Sequence, residues 1–120
     1  MKTTFISAIM ILLFGLSPNE LIGKWERKLA GGNILGFRFK TDNSFEAYLN
    51  KKPQASGTYT LQGNVFTIVS NGCPGIKGMY RINFFSNSDS LRWEVINDSC
   101  ERRRQGISNI AFGRVKQKVL

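Results

Sequence analysis

The sequence contains no histidine, only two cysteines and three prolines, and eight acidic residues against 17 lysines and arginines. Without histidine, the chain cannot build the Ser–His or Cys–His pairs that activate many protein nucleophiles. A zinc site is also disfavoured, because two thiolates alone do not fill a tetrahedral zinc shell. No glycine-rich loop precedes a helical segment, so a phosphate-binding loop is not indicated. These absences predict a protein with no catalytic residues, no metal site and no cofactor.

The N-terminus has the pattern of a secretory signal. Lys2 precedes an almost uninterrupted apolar run from Phe5 to Leu16. That run is shorter than the about 20 apolar residues that span a bilayer, and it suits the core of a signal peptide. We therefore predict a signal peptide over residues 1–19, cleaved between Gly15 and Glu20, and a secreted or periplasmic domain over residues 20–120. The alternative is a buried or amphipathic N-terminal helix.

Eight short segments then alternate apolar and polar residues, which is the period of a β-strand. They are 22–29, 35–40, 45–49, 56–61, 65–69, 78–85, 91–95 and 110–115. Turn residues separate them, and Pro53 is expected to break strand pairing because it has no N–H. No segment has a helical period long enough for a crossover. The pattern predicts an all-β fold, an eight-stranded antiparallel up-and-down barrel, since closure removes exposed strand edges.

The two cysteines fit this arrangement. Cys73 follows the fifth segment and Cys100 follows the seventh, so both lie at the same end of an up-and-down barrel. An exported protein meets an oxidising environment, in which paired thiols form disulfides. We therefore predict a disulfide between Cys73 and Cys100.

Several motifs resemble those of small bacterial lipocalin-like proteins of the calycin superfamily. The first segment carries Gly23-x-Trp25, and the last carries Arg114. Further matching pieces are Gly57–Leu61, Cys73–Tyr80 and Asp98–Arg103. The resemblance implies a lipocalin-like barrel in which Gly23, Trp25 and Arg114 form a structural plug at one end. The chain departs from ligand-carrying lipocalins in its shorter length and in lacking a C-terminal helical segment before the last strand.

A first functional hypothesis is binding of a small hydrophobic ligand inside the barrel. Apolar pockets are lined by aromatic side chains, and eight aromatic residues alternate onto the predicted inner faces. They are Phe37, Phe39, Phe45, Tyr59, Phe66, Tyr80, Phe84 and Trp93. The alternative is that these rings simply fill the core at close packing.

A second hypothesis is an interaction module or inhibitor that acts through basic loops. The formal net charge is +9, and Arg102, Arg103 and Arg104 form a cluster suited to carboxylate or phosphate groups. An anionic surface or an extracellular protein is the expected partner, and nucleic acid is the least expected one for an exported protein. The same arginines could simply be solvated. We expect a monomer.

An enzymatic function is the least favoured hypothesis. Glu46 and Glu94 lie on polar strand faces, where we expect solvated rather than paired carboxylates. Lysine-based chemistry is the one catalytic possibility that the sequence leaves open.

Overall fold

The computed structural model describes residues 20–116, which form a closed barrel of eight antiparallel strands. The strands are β1 (Gly23–Lys28), β2 (Ile34–Phe39), β3 (Ser44–Leu49), β4 (Lys52–Gln62), β5 (Val65–Ser70), β6 (Gly78–Phe85), β7 (Ser90–Asn97) and β8 (Ala111–Arg114). Each strand pairs with the next, and β1 pairs with β8 to close the barrel. The predicted all-β up-and-down barrel is confirmed. The predicted signal peptide lies outside the described residues.

The period-two alternation of the sequence places one side of each strand inside the barrel. In β6, Tyr80 and Ile82 are buried while Arg81 between them is exposed. In β7, Leu91 and Trp93 are buried on either side of the exposed Arg92. Because side chains on a strand point alternately to its two faces, this pattern also sets the pairing register.

Connections between antiparallel neighbours alternate between two ends of the barrel. One end, here called the Trp25 end, carries the connections at 40–43, 63–64 and 86–89. The other, here called the disulfide end, carries the connections at 29–33, 50–51, 71–77 and 98–110. Cys73 and Cys100 form a disulfide at that end, with their Cα atoms 6.1 Å apart, so the predicted pairing is confirmed.

Aromatic side chains fill most of the barrel interior. Seven are almost fully buried: Trp25, Phe39, Phe45, Phe66, Tyr80, Trp93 and Phe112. The ring centroids of Phe66 and Trp93 are 4.7 Å apart, and those of Phe39 and Tyr59 are 5.1 Å apart. Each such pair stabilises the fold by about 0.5–1.5 kcal/mol beyond the area it buries. Much of the barrel interior is therefore filled by the protein's own aromatic side chains.

Gly57 allows β4 and β5 to approach closely. A Cβ atom at this position would overlap the carbonyl oxygen of Val69 in β5, whose backbone cannot move aside without breaking the sheet. Any larger residue would therefore separate the two strands. A glycine inside a strand commonly marks such an approach of two backbones.

The prediction that Pro53 interrupts pairing is wrong. Pro53 lies within β4 opposite Tyr48 of β3. The register shifts between Ala47 and Tyr48, and Gln54 is left without a partner across the pair. A β-bulge of this kind disrupts the ladder locally, so a proline that lacks an N–H is tolerated there.

The expectation of no helix before the last strand is also wrong. A helix of seven residues, α1 (Glu101–Ile107), lies between β7 and β8. This helix is too short to produce a clear 3.6-residue period in the sequence. Tertiary packing holds it, since Ile107 is buried against the barrel core. Within the described range, no helix is long and apolar enough to cross a membrane.

Candidate functional site

The Trp25 end is closed by an indole ring beneath an arginine. Trp25 is fully buried, and its Nε1–H donates a hydrogen bond to the Leu21 carbonyl at 2.8 Å. The guanidinium carbon of Arg114 lies 4.3 Å from the centroid of the Trp25 ring. Gly23 has a φ of +126°, which residues with a Cβ rarely adopt, and it starts β1 immediately beside Arg114. The three residues of the predicted plug are thus in contact.

Arg114 also binds the chain entering the barrel. Its Nη2 donates to the Glu20 carbonyl at 2.7 Å and to the Ser88 carbonyl at 3.0 Å. Its Nε lies 3.8 Å from the carboxylate of Asp89. Hydrogen bonds within the protein thus engage Nε and both Nη nitrogens of Arg114, which is consistent with the predicted structural role of this end.

Replacing Arg114 with Gln is expected to lower the free energy of unfolding by about 1.5–3 kcal/mol. The variant loses the cation–π contact, which contributes about 0.5–2 kcal/mol, and charged hydrogen bonds to backbone carbonyls. Urea unfolding followed by tryptophan fluorescence measures the change. Arg38→Gln removes the same charge from an exposed strand position, and we expect at most about 0.5 kcal/mol there. Equal losses in both variants would show that Arg114 has no special role.

The disulfide end is held by a buried ion pair. Asp98 follows β7 and accepts hydrogen bonds from Arg103 Nε and Nη2, both at 2.7 Å. It also accepts from the Tyr80 hydroxyl and from the Cys100 backbone N–H. Arg103 in turn donates to Ser70 Oγ at 3.0 Å. The Asp98 side chain is fully buried and that of Arg103 is 8% exposed, so this largely buried network joins β5, β6 and the segment after β7 to α1.

The environment keeps these groups in their ordinary charge states. Burial is the largest single influence on Asp98 and raises its pKa. Hydrogen bonds from Arg103, Tyr80 and the Cys100 N–H, together with the Arg103 charge, outweigh burial and hold the pKa of Asp98 below its usual value. Burial, followed by the hydrogen bond to Asp98, raises the pKa of Tyr80 well above its usual value. Asp98 therefore stays ionised and cancels the charge of Arg103.

The three arginines of the predicted patch, Arg102, Arg103 and Arg104, differ in their surroundings. The three residues lie on α1, where successive side chains point about 100° apart. Arg103 points to Asp98 and is engaged, and Arg104 Nη1 donates to the Asp98 carbonyl at 3.2 Å. Arg102 is exposed, and its side chain has no hydrogen bond or ion pair with another described residue. Of the three arginines, only Arg102 has a guanidinium with no hydrogen bond or ion pair among the described residues.

A cavity of about 420 Å³ lies at the disulfide end. Its apolar lining consists of Leu35, Phe37, Phe45, Ala47, Ala55, Ile68 and Ile107. Its polar and charged lining consists of Gln54, Ser70, Arg102 and Arg103, and the Cys73–Cys100 disulfide completes the wall. The cavity thus extends from α1 into the barrel, above the packed aromatic core.

The predicted ligand-binding aromatics divide into two groups. Only Phe37 and Phe45 line the cavity. Phe39, Tyr59, Phe66, Tyr80 and Trp93 are buried in the packed core, and Phe84 is half-buried against Trp25 with a centroid separation of 5.9 Å. These six rings fill the barrel, because bulky side chains at close packing leave little space between them.

The space that remains comes from small residues rather than aromatic ones. Ala47 in β3 and Ala55 in β4 face each other across the pair, and both point inward. Their short side chains leave open volume beside Phe45. The alternation of β3 placed Ala47 on the inner face already, and an inward pair of alanines among aromatics was the signal that could have located the cavity.

A second depression, of about 610 Å³, lies on the outer face of β1 to β4. Most of its lining residues are polar or charged, and several of these groups already contact one another. The Tyr48 hydroxyl donates to Glu26, and the Glu46 carboxylate lies 4.0 Å from the Arg38 guanidinium. Small-molecule sites are mostly apolar with few polar groups, so the cavity at the disulfide end is the better candidate.

Across residues 20–116, no group of three or more Cys, Asp or Glu side chains is arranged to hold an ion.

Comparisons of the chain with protein-family models, with curated proteins and with solved structures give no match. The likeness to lipocalins is therefore carried by the sequence motifs, and the eight-stranded barrel is compatible with it.

Proposed function

We propose that this protein is a non-catalytic binding protein that takes a small, mainly apolar ligand into the cavity at the disulfide end. The observation that carries the proposal is an open, apolar volume of about 420 Å³ in a barrel that is otherwise filled. Ligand pockets commonly measure about 300–1,000 Å³. An apolar cavity of about 150 Å³ holds benzene, so a ligand roughly two to three times that size fits.

The rest of the molecule supports a rigid binding site. Strands β2 to β5 hold the apolar lining apart from Ile107 of α1, while the disulfide and the Asp98–Arg103 pair fix α1 and its flanking loop over it. Site residues carried on rigid elements are positioned more precisely than residues on loops. A disulfide is also consistent with an extracellular or periplasmic location. We expect a monomer, because barrel closure leaves no strand edge of the described barrel unpaired.

An interaction module acting through the basic loops is the weaker alternative. It requires several free arginines on one surface, but Arg103 is neutralised by Asp98 and Arg104 is half-buried against the backbone. A single exposed guanidinium contributes little to binding a protein surface.

Replacing Ala55 with Phe is expected to block the cavity. The side chain at position 55 points inward, so a phenyl ring there occupies the space between β4 and Phe45. The neutral fluorescent probe N-phenyl-1-naphthylamine should bind the wild-type protein and bind the variant at least about tenfold more weakly, a loss of 1.4 kcal/mol or more. Titration followed by probe fluorescence measures this affinity.

Thr58→Phe provides the matched control, because Thr58 lies on the outward face of the same strand. It should leave the probe affinity unchanged. Thermal unfolding of both variants establishes that they are folded. Unchanged affinity in Ala55→Phe would place the probe elsewhere and reject the cavity as the binding site. Native mass spectrometry of the secreted, unreduced protein would then identify any ligand that copurifies with it.

A further inference from the structure

We infer that the cavity at the disulfide end selects an amphipathic anion, with the apolar body against Phe37, Phe45 and Ile68 and the single negative charge at Arg102. This inference rests on the binding function proposed above and names the class of ligand. A short alkyl or aryl carboxylate is the simplest compound of this class.

The charges around the cavity favour a monoanion. Arg102 and Arg103 are the two charged residues in its lining, and no carboxylate belongs to that lining. The charge of Arg103 is cancelled by Asp98, which both of its nitrogens contact at 2.7 Å. The cavity therefore carries a net charge of one positive unit, located on Arg102. A cationic ligand would meet this charge without compensation, whereas an anionic head group would be paired with it.

Arg102 is free to make the contact. Its neighbour Glu101 accepts a hydrogen bond from Gln105 at 3.2 Å, so that carboxylate is directed along the helix. The Arg102 guanidinium has no hydrogen bond or ion pair with any other residue in the range 20–116. A guanidinium presents two parallel N–H groups that match the two oxygens of a carboxylate. A ligand carboxylate thus satisfies donors that the protein itself leaves to water.

The position of Arg102 fits the shape of an amphiphile. Phe37, Phe45 and Ile68 lie on the strands that form the barrel, whereas Arg102 lies on α1, which follows β7 at the barrel end. An elongated ligand can therefore bury its apolar body among the strands while its charged head stays at the helix. Partial exposure of that head reduces the cost of removing water from it.

The test is displacement of N-phenyl-1-naphthylamine by octanoate, 1-octanol and octylamine. All three compounds contain eight carbon atoms in an unbranched chain and differ in the charge of the head group. We expect octanoate to bind the wild-type protein about fivefold more tightly than 1-octanol, and octylamine to bind most weakly. The preference for octanoate should shrink between 50 and 500 mM NaCl, because salt screens a partly exposed ion pair.

Two variants assign the preference to one residue. Arg102→Gln should lose the fivefold preference for octanoate, measured as the ratio of the octanoate and 1-octanol affinities within that variant. Arg81→Gln removes the same charge from the outer face of β6, away from the cavity, and should keep the preference. Thermal unfolding should show little change for either variant, since both side chains are exposed.

The outcomes separate this inference from the proposed function. No probe binding to the wild-type protein would reject the proposed function itself. Equal displacement by octanoate and 1-octanol, with both abolished in Ala55→Phe, would retain the binding function and overturn the anionic ligand class. An equal loss of preference in Arg102→Gln and Arg81→Gln would attribute it to overall charge and overturn the role of Arg102.

Discussion

Replacing Asp98 with Asn is expected to lower the free energy of unfolding by about 3–5 kcal/mol. The change leaves the volume intact and removes the charge that compensates Arg103, whose side chain is 8% exposed. Breaking a buried ion pair by removing one partner is costly because the remaining charge stays buried without compensation. The amide would also present N–H donors toward Arg103 or Tyr80, both of which are themselves donors to this position. Urea unfolding of the wild-type and variant proteins measures the difference.

Glu94→Gln makes the same chemical change at the surface. Glu94 pairs with Arg81 at 3.7 Å, and both side chains are about half exposed. Exposed pairs contribute about 0–1 kcal/mol, so the control should lose little stability. If Asp98→Asn and Glu94→Gln lost similar amounts, the pair at the disulfide end would not be the main element holding α1.

The same carboxylate predicts how stability depends on pH. The pKa of Asp98 is lower in the folded protein than its ordinary value near 3.9 in an unfolded chain. Its contribution is therefore fully present above about pH 4 and is lost as the pH falls through the lowered folded pKa. The wild-type protein should lose this stability in acid, and Asp98→Asn should show a smaller loss over the same range. A pH profile of the urea midpoint tests both statements.

Removing the disulfide with Cys73→Ser and Cys100→Ser together is expected to cost about 3.5 kcal/mol. The two cysteines are separated by 27 residues, and closing a loop of that length in the unfolded chain accounts for about this amount in the chain-entropy description. Reduction of the wild-type protein should produce a similar loss, whereas a reductant should not affect the double variant. Urea unfolding with and without dithiothreitol measures all four states.

The disulfide variant also reports on the cavity. The disulfide is part of the cavity wall and lies next to Asp98 in sequence, where the Cys100 N–H donates to that carboxylate. We expect weaker binding of N-phenyl-1-naphthylamine in the double variant even when it is folded. Unchanged affinity in a folded double variant would show that the wall is held by the Asp98–Arg103 pair alone.

The barrel could be predicted from the sequence. Side chains at alternate positions of a strand face opposite sides, so Tyr80, Ile82 and Trp93 could be assigned to the interior from the order of residues alone. The hairpin connections placed Cys73 and Cys100 at one end without any three-dimensional information. These features are local, because they depend on a residue and its near neighbours along the chain.

The open cavity and the unpaired charge of Arg102 depend on tertiary contacts and could not be predicted from the sequence. Asp98, Tyr80 and Ser70 follow or belong to different strands, and their meeting with Arg103 is not visible in any single segment. Arg102 and Arg103 point in different directions because they lie on α1, and this helix is too short to produce a 3.6-residue period in the sequence.

The cavity has a similar origin. It depends on Ala47 and Ala55 facing each other across β3 and β4, and on α1 lying at the barrel end near them. Alternation along β3 indicates that Ala47 faces inward, but the open volume and the compensation of charge depend on contacts between different strands and α1.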